Sequence, residues 1–207
     1  METKEKSVPR EILSWVICIV SAFVIALLIK YFIFTPTLVR QGSMTPTILD
    51  GERVLINRLV RTFNMEIKRG DIVTLEKPSS EADETQIAKY DTIRGLKNKF
   101  VYYVLELTKT SYIKRVIGLP GEHVYIANGE VYINDEKLDE PYLTEGLETP
   151  RRGVFYDVQV PDGCIFVMGD NRTGSLDSRE FGCIPLDKVE GRVSIRIWPL
   201  NKFGKVD

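Results

Sequence analysis

The sequence is poor in the residues on which most hydrolytic and metal chemistry relies. Its 207 residues hold one histidine, His123, and three cysteines. No Cys-x-x-Cys or Cys/His spacing suggests a metal centre, and three cysteines are too few for a disulfide scaffold. Cys18 lies in an apolar run, which leaves Cys164 and Cys183 to pair or to stay free. Neither sign of charge dominates: the formal net charge is −1 with 28% charged residues, so bulk electrostatics suggest no nucleic-acid partner. Beyond residue 34 no segment is long and apolar enough to span a membrane, and no internal repeat is visible.

What is present begins with that one apolar run. Ile12 to Ile29 carry no charged side chain, and apolar and aromatic character continues past Lys30 to Phe34. A helix over residues 12–34 would be roughly 34 Å long, enough to cross a bilayer with some tilt. Lys30 can snorkel to the headgroups, and Tyr31, Phe32 and Phe34 suit an interfacial belt. A cleaved signal peptide is the alternative, but its apolar region would be shorter and followed by a small-x-small pattern absent here. Lys4, Lys6 and Arg10 precede the run, whereas Arg40 stands alone among the 15 residues after it. The positive-inside rule then predicts a cytoplasmic tail over 1–11, an anchor over 12–34 and an extracytoplasmic domain over 35–207.

The exported part reads as mostly β. Arg53-Val54-Leu55-Ile56, Asp71-Ile72-Val73-Thr74-Leu75, Glu122-His123-Val124-Tyr125-Ile126 and Cys164-Ile165-Phe166-Val167-Met168 are rich in β-branched and aromatic residues, with glycine and proline turns between them. Asn128-Gly129, flanked by apolar triplets, predicts a two-residue hairpin whose central residues take positive φ. A small β side module is expected over about 121–160, with the turn-rich stretch 139–152 joining its strands. The polar stretch 77–99, with charges of both signs, reads as a mobile loop or lid, or simply a solvated insertion.

Three blocks carry candidate chemistry. Ser43 lies in the uncharged segment Gln41-Gly42-Ser43-Met44-Thr45-Pro46-Thr47, close behind the anchor; Gly42 permits close backbone approach, and Pro46 restricts the chain downstream. A serine hydroxyl needs a positioned base to become a nucleophile, and a chain with one histidine points to another base. Lys114 lies among Tyr112, Ile113, Val116 and Ile117, a strand-like setting in which it shares a face with Tyr112 and Val116. If that face is buried, desolvation lowers the amine's pKa, as a general base requires; the alternative is an edge lysine with its amine in water. Ser111-x-x-Lys114 also matches the Ser-x-x-Lys pattern of penicillin-binding proteins, but that pattern needs a helix and a Lys-Thr-Gly partner, and neither is read here.

The third block runs from Gly169 to Gly182. It is dense in small and oppositely charged residues and able to hydrogen-bond its own backbone. Ser175 is a candidate partner for a lysine amine, and Asp177 and Arg179 a candidate charge-assisted pair. Such a loop also fits an anion or calcium turn, and Asn171-Arg172-Thr173 fits a glycosylation pattern in a setting too rigid to favour it.

Together with Gly70-Asp71-Ile72-Val73 and the run from Tyr112 through Arg115 to Gly121, these blocks resemble the bacterial type I signal peptidases, membrane-anchored serine–lysine enzymes that cut signal peptides from exported proteins. They occur in that family's order, from the anchor to Trp198-Pro199, and the single anchor and short side module look like its Firmicutes-type members. The resemblance implies Ser43 as nucleophile, Lys114 as general base, Ser175 as the residue orienting the amine, and Asp177 and Arg179 as support. It also implies an oxyanion hole made by the Ser43 backbone N–H and the residue two before it. That residue is Gln41, where some family members place a hydroxyl.

No metal or nucleotide is implied. The implied partners are preprotein signal peptides with small residues at the first and third positions before the cut, and the bilayer; no nucleic acid or obligate protein partner is inferred. A membrane-tethered β-rich binding module and a self-cleaving serine–lysine peptidase of related fold are the alternatives. The first leaves the three blocks unexplained, and the second is cytosolic with a DNA-binding domain.

Overall fold

The computed structural model describes residues 8–79, 86–91, 101–102 and 110–206. The apolar run forms α1, Val8–Phe32, whose side chains stand exposed along nearly its whole length and which is long enough to cross a bilayer. Phe34 does not extend the helix. It opens strand β1, Phe34–Leu38, because its backbone pairs with Asn57 of β2, Arg53–Asn57. The helix end is tied directly to the sheet: Arg58 N donates to Ile33 O (2.8 Å), Thr35 Oγ1 to Lys30 O (2.7 Å) and Thr62 Oγ1 to Phe32 O (3.0 Å). These bonds satisfy carbonyls that a helix C-terminus leaves open.

After the short α2, Leu59–Thr62, come β3, Ile72–Glu76, and β4, Ser111–Gly118. The second sheet follows, with β5, His123–Ala127, β6, Glu130–Ile133, β7, Glu136–Lys137, and β8, Asp157–Gln159. The chain then returns through β9, Cys164–Met168, α3, Ser178–Phe181, β10, Ile184–Pro185, the long β11, Val189–Trp198, and β12, Gly204–Lys205. The main sheet has the order β1-β2-β11-β3-β4-β9-β10, with β12 on β11; the small sheet has the order β7-β6-β5-β8. Every pairing between these named strands is antiparallel.

The four strand runs read from the sequence lie in β2, β3, β5 and β9. Asn128 (φ 51°) and Gly129 (φ 78°) turn β5 into β6, with Ala127 opposite Glu130. Exposure alternates along β5, whereas β3, β4 and β9 are covered on both faces. Ile117, Val124, Ile126, Val131 and Phe166 join the small sheet to the main one. Val73, Tyr112, Val116, Val167 and Phe181 fill the space behind β4. Met44, Ile48, Val54, Ile72 and Ile113 form a third cluster beneath the segment that carries Ser43.

Part of the 77–99 stretch is ordered into the fold. Ile87 bridges Cys183 in parallel, Cys183 N donates to Gln86 O (2.7 Å) and Ala88 N to Cys183 O (2.9 Å). Ile87 and Ala88 supply apolar surface that the surrounding charges mask in the sequence. Residues 80–85 and 92–99 of the expected loop lie outside the described residues. Cys164 and Cys183 are both free and buried.

Candidate catalytic site

Ser43 is the middle residue of a tight turn, Gly42–Met44, closed by Thr45 N donating to Gly42 O (3.3 Å) and Ile48 N to Met44 O (2.9 Å). Met44 and Ile48 are fully buried and pin the turn to the core, so the hydroxyl next to them is held in one place. Gln41 enters the turn in an extended conformation, makes no side-chain cap to it, and lines the cleft beside Ser43.

Lys114 lies mid-strand in β4, with Val73 opposite it on β3, and is 1% exposed. Its Nζ stands 2.9 Å from Ser43 Oγ and 3.1 Å from Ile113 O, and lies 5.0 Å from the centre of the Tyr112 ring. Burial is the chief cause that pushes the amine down from 10.5 to about 8; Arg179 adds to the fall, while Asp177 and Asp170 oppose it. The two residues, 71 positions apart in sequence, therefore meet in a buried pair with a partly neutral amine at neutral pH.

The loop after β9 holds this pair from the other side. Asn171 N donates to Ser43 O (3.0 Å) and Asn171 Nδ2 to Gly42 O (3.1 Å). Arg179 grips Asp177 with two bonds of 2.8 Å, and both side chains are wholly buried. Asp177 in turn accepts from Gly169 N (3.0 Å) and Arg179 donates to Arg172 O (2.8 Å), so one ion pair fixes both ends of the loop. Gly169 allows a close approach to the Ser43 turn: a Cβ there would stand 2.2 Å from Ser175 Oγ and 2.4 Å from Ser43 O.

Asp177 and Arg179 thus form the pair read from the sequence. Ser175 differs from expectation. It is buried against Gly169, but among the described residues its hydroxyl has no hydrogen-bond partner, and the lysine amine bonds to the Ile113 carbonyl of its own strand.

The signal peptidase family model, peptidase S26, matches residues 12–198. The chain belongs to this family. Signal peptidase I of Bacillus licheniformis is 37% identical over 214 residues, covering 99% of this chain and all of that one. Signal peptidase I T of Bacillus subtilis (strain 168) is 39% identical over 198 residues, 92% of this chain and 88% of the relative. A crystal structure of a signal peptidase I from Enterococcus faecalis V583 aligns with 63% of this chain and 98% of its own at 26% identity, with a TM-score of 0.42. In this family setting α1 is the single N-terminal membrane helix, and the β-rich part is an extracytoplasmic catalytic domain.

Several further residues brace this candidate site, and none of them has a role assigned from the sequence. Arg115, on the β4 face opposite Lys114, binds Asp170 with two bonds of 2.9 and 2.8 Å and also donates to Gly70 O (2.9 Å). Thr47, four residues past the nucleophile candidate, donates to the same Asp170 carboxylate (2.5 Å). Asp170 therefore links the Ser43 turn to the Lys114 strand. Arg172 is likewise enclosed, held by Glu140 and by Thr149 Oγ1 (2.6 Å) from the side module. Among the described residues no group of His, Cys, Asp or Glu is arranged to hold a metal ion, and Asp170 and Asp177 are each committed to an arginine.

Proposed function

We infer that the protein is a signal peptidase I, a membrane-anchored serine endopeptidase that removes signal peptides from secreted preproteins through Ser43 and Lys114. The observation that carries this is the buried contact of 2.9 Å between Ser43 Oγ and Lys114 Nζ, in a chain of this family. The contact stands at one end of a cleft of about 500 Å³ between residues 36–41 and residues 110–113. Lys30, in the last turn of α1, also lines that cleft. An extended peptide leaving the bilayer beside α1 enters it directly, which is the path of a preprotein whose signal helix is embedded.

The geometry supports acyl transfer. Neutral Lys114, with Ile113 O accepting one of its N–H groups, takes the Ser43 proton as Oγ attacks the scissile carbonyl. Ser43 and Gln41 both line this cleft, which makes the Ser43 backbone N–H and the Gln41 amide the candidate oxyanion donors; a donor of this kind contributes about 2.7–4 kcal/mol to such a transition state. The resulting ammonium returns its proton to the leaving amine, and the amine then activates water against the ester. Ser175 supplies a buried hydroxyl able to accept from the ammonium once it forms, a need absent in the neutral state. Asp177 and Arg179 keep the loop, and through Gly169 the Ser43 carbonyl, in register.

Incubation with a preprotein tests this reading: the product's new N-terminus lies after a small residue, and cleavage tracks the neutral amine. With the lysine at about 8, kcat/KM is expected to fall about tenfold per pH unit below that value, reaching about one hundredth at pH 6. His123 pairs with Asp157 (2.7 Å) on the small sheet, away from the pair, so His123→Ala leaves this profile unchanged. Full activity of the wild type at pH 6 would rule out a neutral-lysine base.

Gly169→Ala is a second test. The added methyl meets the Ser43 carbonyl, which is backbone and cannot swing aside as a side-chain end can. A shift of about 1 Å at a nucleophile costs about 10²-fold in rate, whereas overpacking costs stability by only about 1–3 kcal/mol. Cleavage is therefore expected to drop about a hundredfold in protein that still unfolds cooperatively; wild-type kcat/KM would show that the close approach has no bearing on Ser43.

A further inference from the structure

The loop after β9 meets the nucleophile segment through one turn, Gly169 to Arg172. At its tip Asn171 holds the Ser43 and Gly42 carbonyls, and Arg172 N donates to Asp170 O (3.0 Å) behind it. Two buried arginines grip this turn from the far side. Arg172 Nε donates to Gly169 O (3.2 Å), and Arg115, the residue after Lys114, holds the Asp170 carboxylate.

Both arginines are held in turn by the chain between β7 and β8. Glu140 meets Arg172 with both carboxylate oxygens, one bond being 3.0 Å, and the two side chains are 10% and 0% exposed. Two residues on, the Tyr142 ring covers Arg115, whose guanidinium carbon lies 3.8 Å from the ring centre. The Tyr142 hydroxyl donates to Glu140 (2.6 Å) and ties the two grips together. Burial and that carboxylate push the phenol well above its ordinary value, so it stays a donor throughout the assay range. The same stretch continues along the loop: Thr149 Oγ1 accepts from Arg172 (2.6 Å), and a Cβ on Gly153 would stand 2.1 Å from Arg179 O.

These contacts make two routes to the reacting pair. From Glu140 one runs through Arg172 and its neighbour Asn171 to the Ser43 carbonyl. From Tyr142 the other runs through Arg115 to the Lys114 strand and, by way of Asp170, to Thr47 in the Ser43 segment. Glu140, Tyr142 and Arg172 do not line the cleft beside Ser43, so they are placed to act on the pair and not on a peptide lying in it. We propose that Glu140 and Tyr142 are positioning residues of the peptidase reaction, setting Ser43 against Lys114 through Arg172 and Arg115. The proposal rests on the peptidase reading above. Without Glu140 the enclosed Arg172 loses the carboxylate it grips, and an uncompensated buried guanidinium moves toward any acceptor within reach. The turn moves with it, and a displacement of about 1 Å at a nucleophile costs about 10²-fold in rate.

Preprotein cleavage by the full chain in detergent micelles tests this, with kcat corrected for the folded fraction read from urea titration. Glu140→Ala is expected to lower kcat about a hundredfold while KM stays within about twofold of the wild type. Glu140→Gln keeps the length and one acceptor for the guanidinium, and is expected to recover about tenfold of that loss. Tyr142→Phe removes one oxygen and keeps the ring on Arg115; an expected fall of about tenfold in kcat keeps the test open where the alanine variant fails to fold. In an Arg172→Met background Glu140→Ala is expected to cost less than about threefold more, because its route is already cut. A purely structural role gives wild-type kcat per folded molecule. That result, a loss carried by KM, or the full hundredfold loss in the Arg172→Met background overturns the proposal and leaves the peptidase reading intact. A wild type that cleaves no preprotein overturns both.

Discussion

Ser43→Ala and Lys114→Met are each expected to lower preprotein cleavage by about 10⁴-fold or more, and Lys114→Met is expected to make the protein more stable at pH 6. The first effect follows from the loss of a group that takes part in bond making, where removing one member costs about as much as removing the set. The second follows from burial. In the folded chain Lys114 titrates near 8, below the 10.5 of an exposed lysine, so at pH 6 folding must carry a charged amine into a site that disfavours it. That penalty is on the order of 3 kcal/mol and is fully present below the folded pKa. Between about 8 and 10.5 the unfolded chain binds the extra proton, stability rises with pH, and the penalty is gone above that window. Methionine keeps the length and drops the charge, at a cost of about 1 kcal/mol for the bond lost to Ile113 O. A net gain of about 2 kcal/mol at pH 6, shrinking toward pH 10, is the expected result in urea titrations. A structural lysine gives the opposite sign: if Lys114→Met unfolds more easily at pH 6, the buried-base assignment is wrong.

Ser43 and Lys114 could be singled out as candidates from local patterns, and their roles as nucleophile and base came from the family resemblance. An uncharged serine segment after an apolar run and a lysine inside a β-branched run need no knowledge of the partner. The same holds for the Asn128-Gly129 hairpin, whose turn is chosen by two residues with positive φ. Arg115 and Asp170 were not legible, because their pairing depends on β4 and β9 lying side by side, with Arg115 opposite Met168. Alternation put Arg115 on the face away from Lys114, and that face proved to be where the Asp170 loop returns. For Ser175, composition marks a hydrogen-bonding residue but does not reveal that the amine also bonds the Ile113 carbonyl of its own strand.

Asp177→Ala is expected to cost about 3–5 kcal/mol of stability, among the largest single effects in the chain. The reason is the partner left behind: Arg179 is wholly buried, and its two bonds of 2.8 Å to Asp177 satisfy the charge that burial would otherwise expose as a penalty. Arg179→Ala strands the carboxylate in the same way and also frees the Arg172 and Pro150 carbonyls that the guanidinium holds. If each loss is mostly an uncompensated charge, the two are not additive. Replacing both residues by apolar ones of similar volume, Asp177→Leu with Arg179→Met, should then cost less than the two alanine variants summed, by at least about 2 kcal/mol. Urea unfolding of the two alanine variants and the apolar pair measures this, and an additive result would mean that the pair stabilises by packing alone. Activity need not recover with stability. The Gly169 N–H loses its acceptor whenever Asp177 is replaced, and Gly169 abuts the Ser43 carbonyl, so the apolar pair should fold well and still cleave poorly. Stability restored without catalysis would place the ion pair's main duty in positioning Ser43 rather than in holding the fold together.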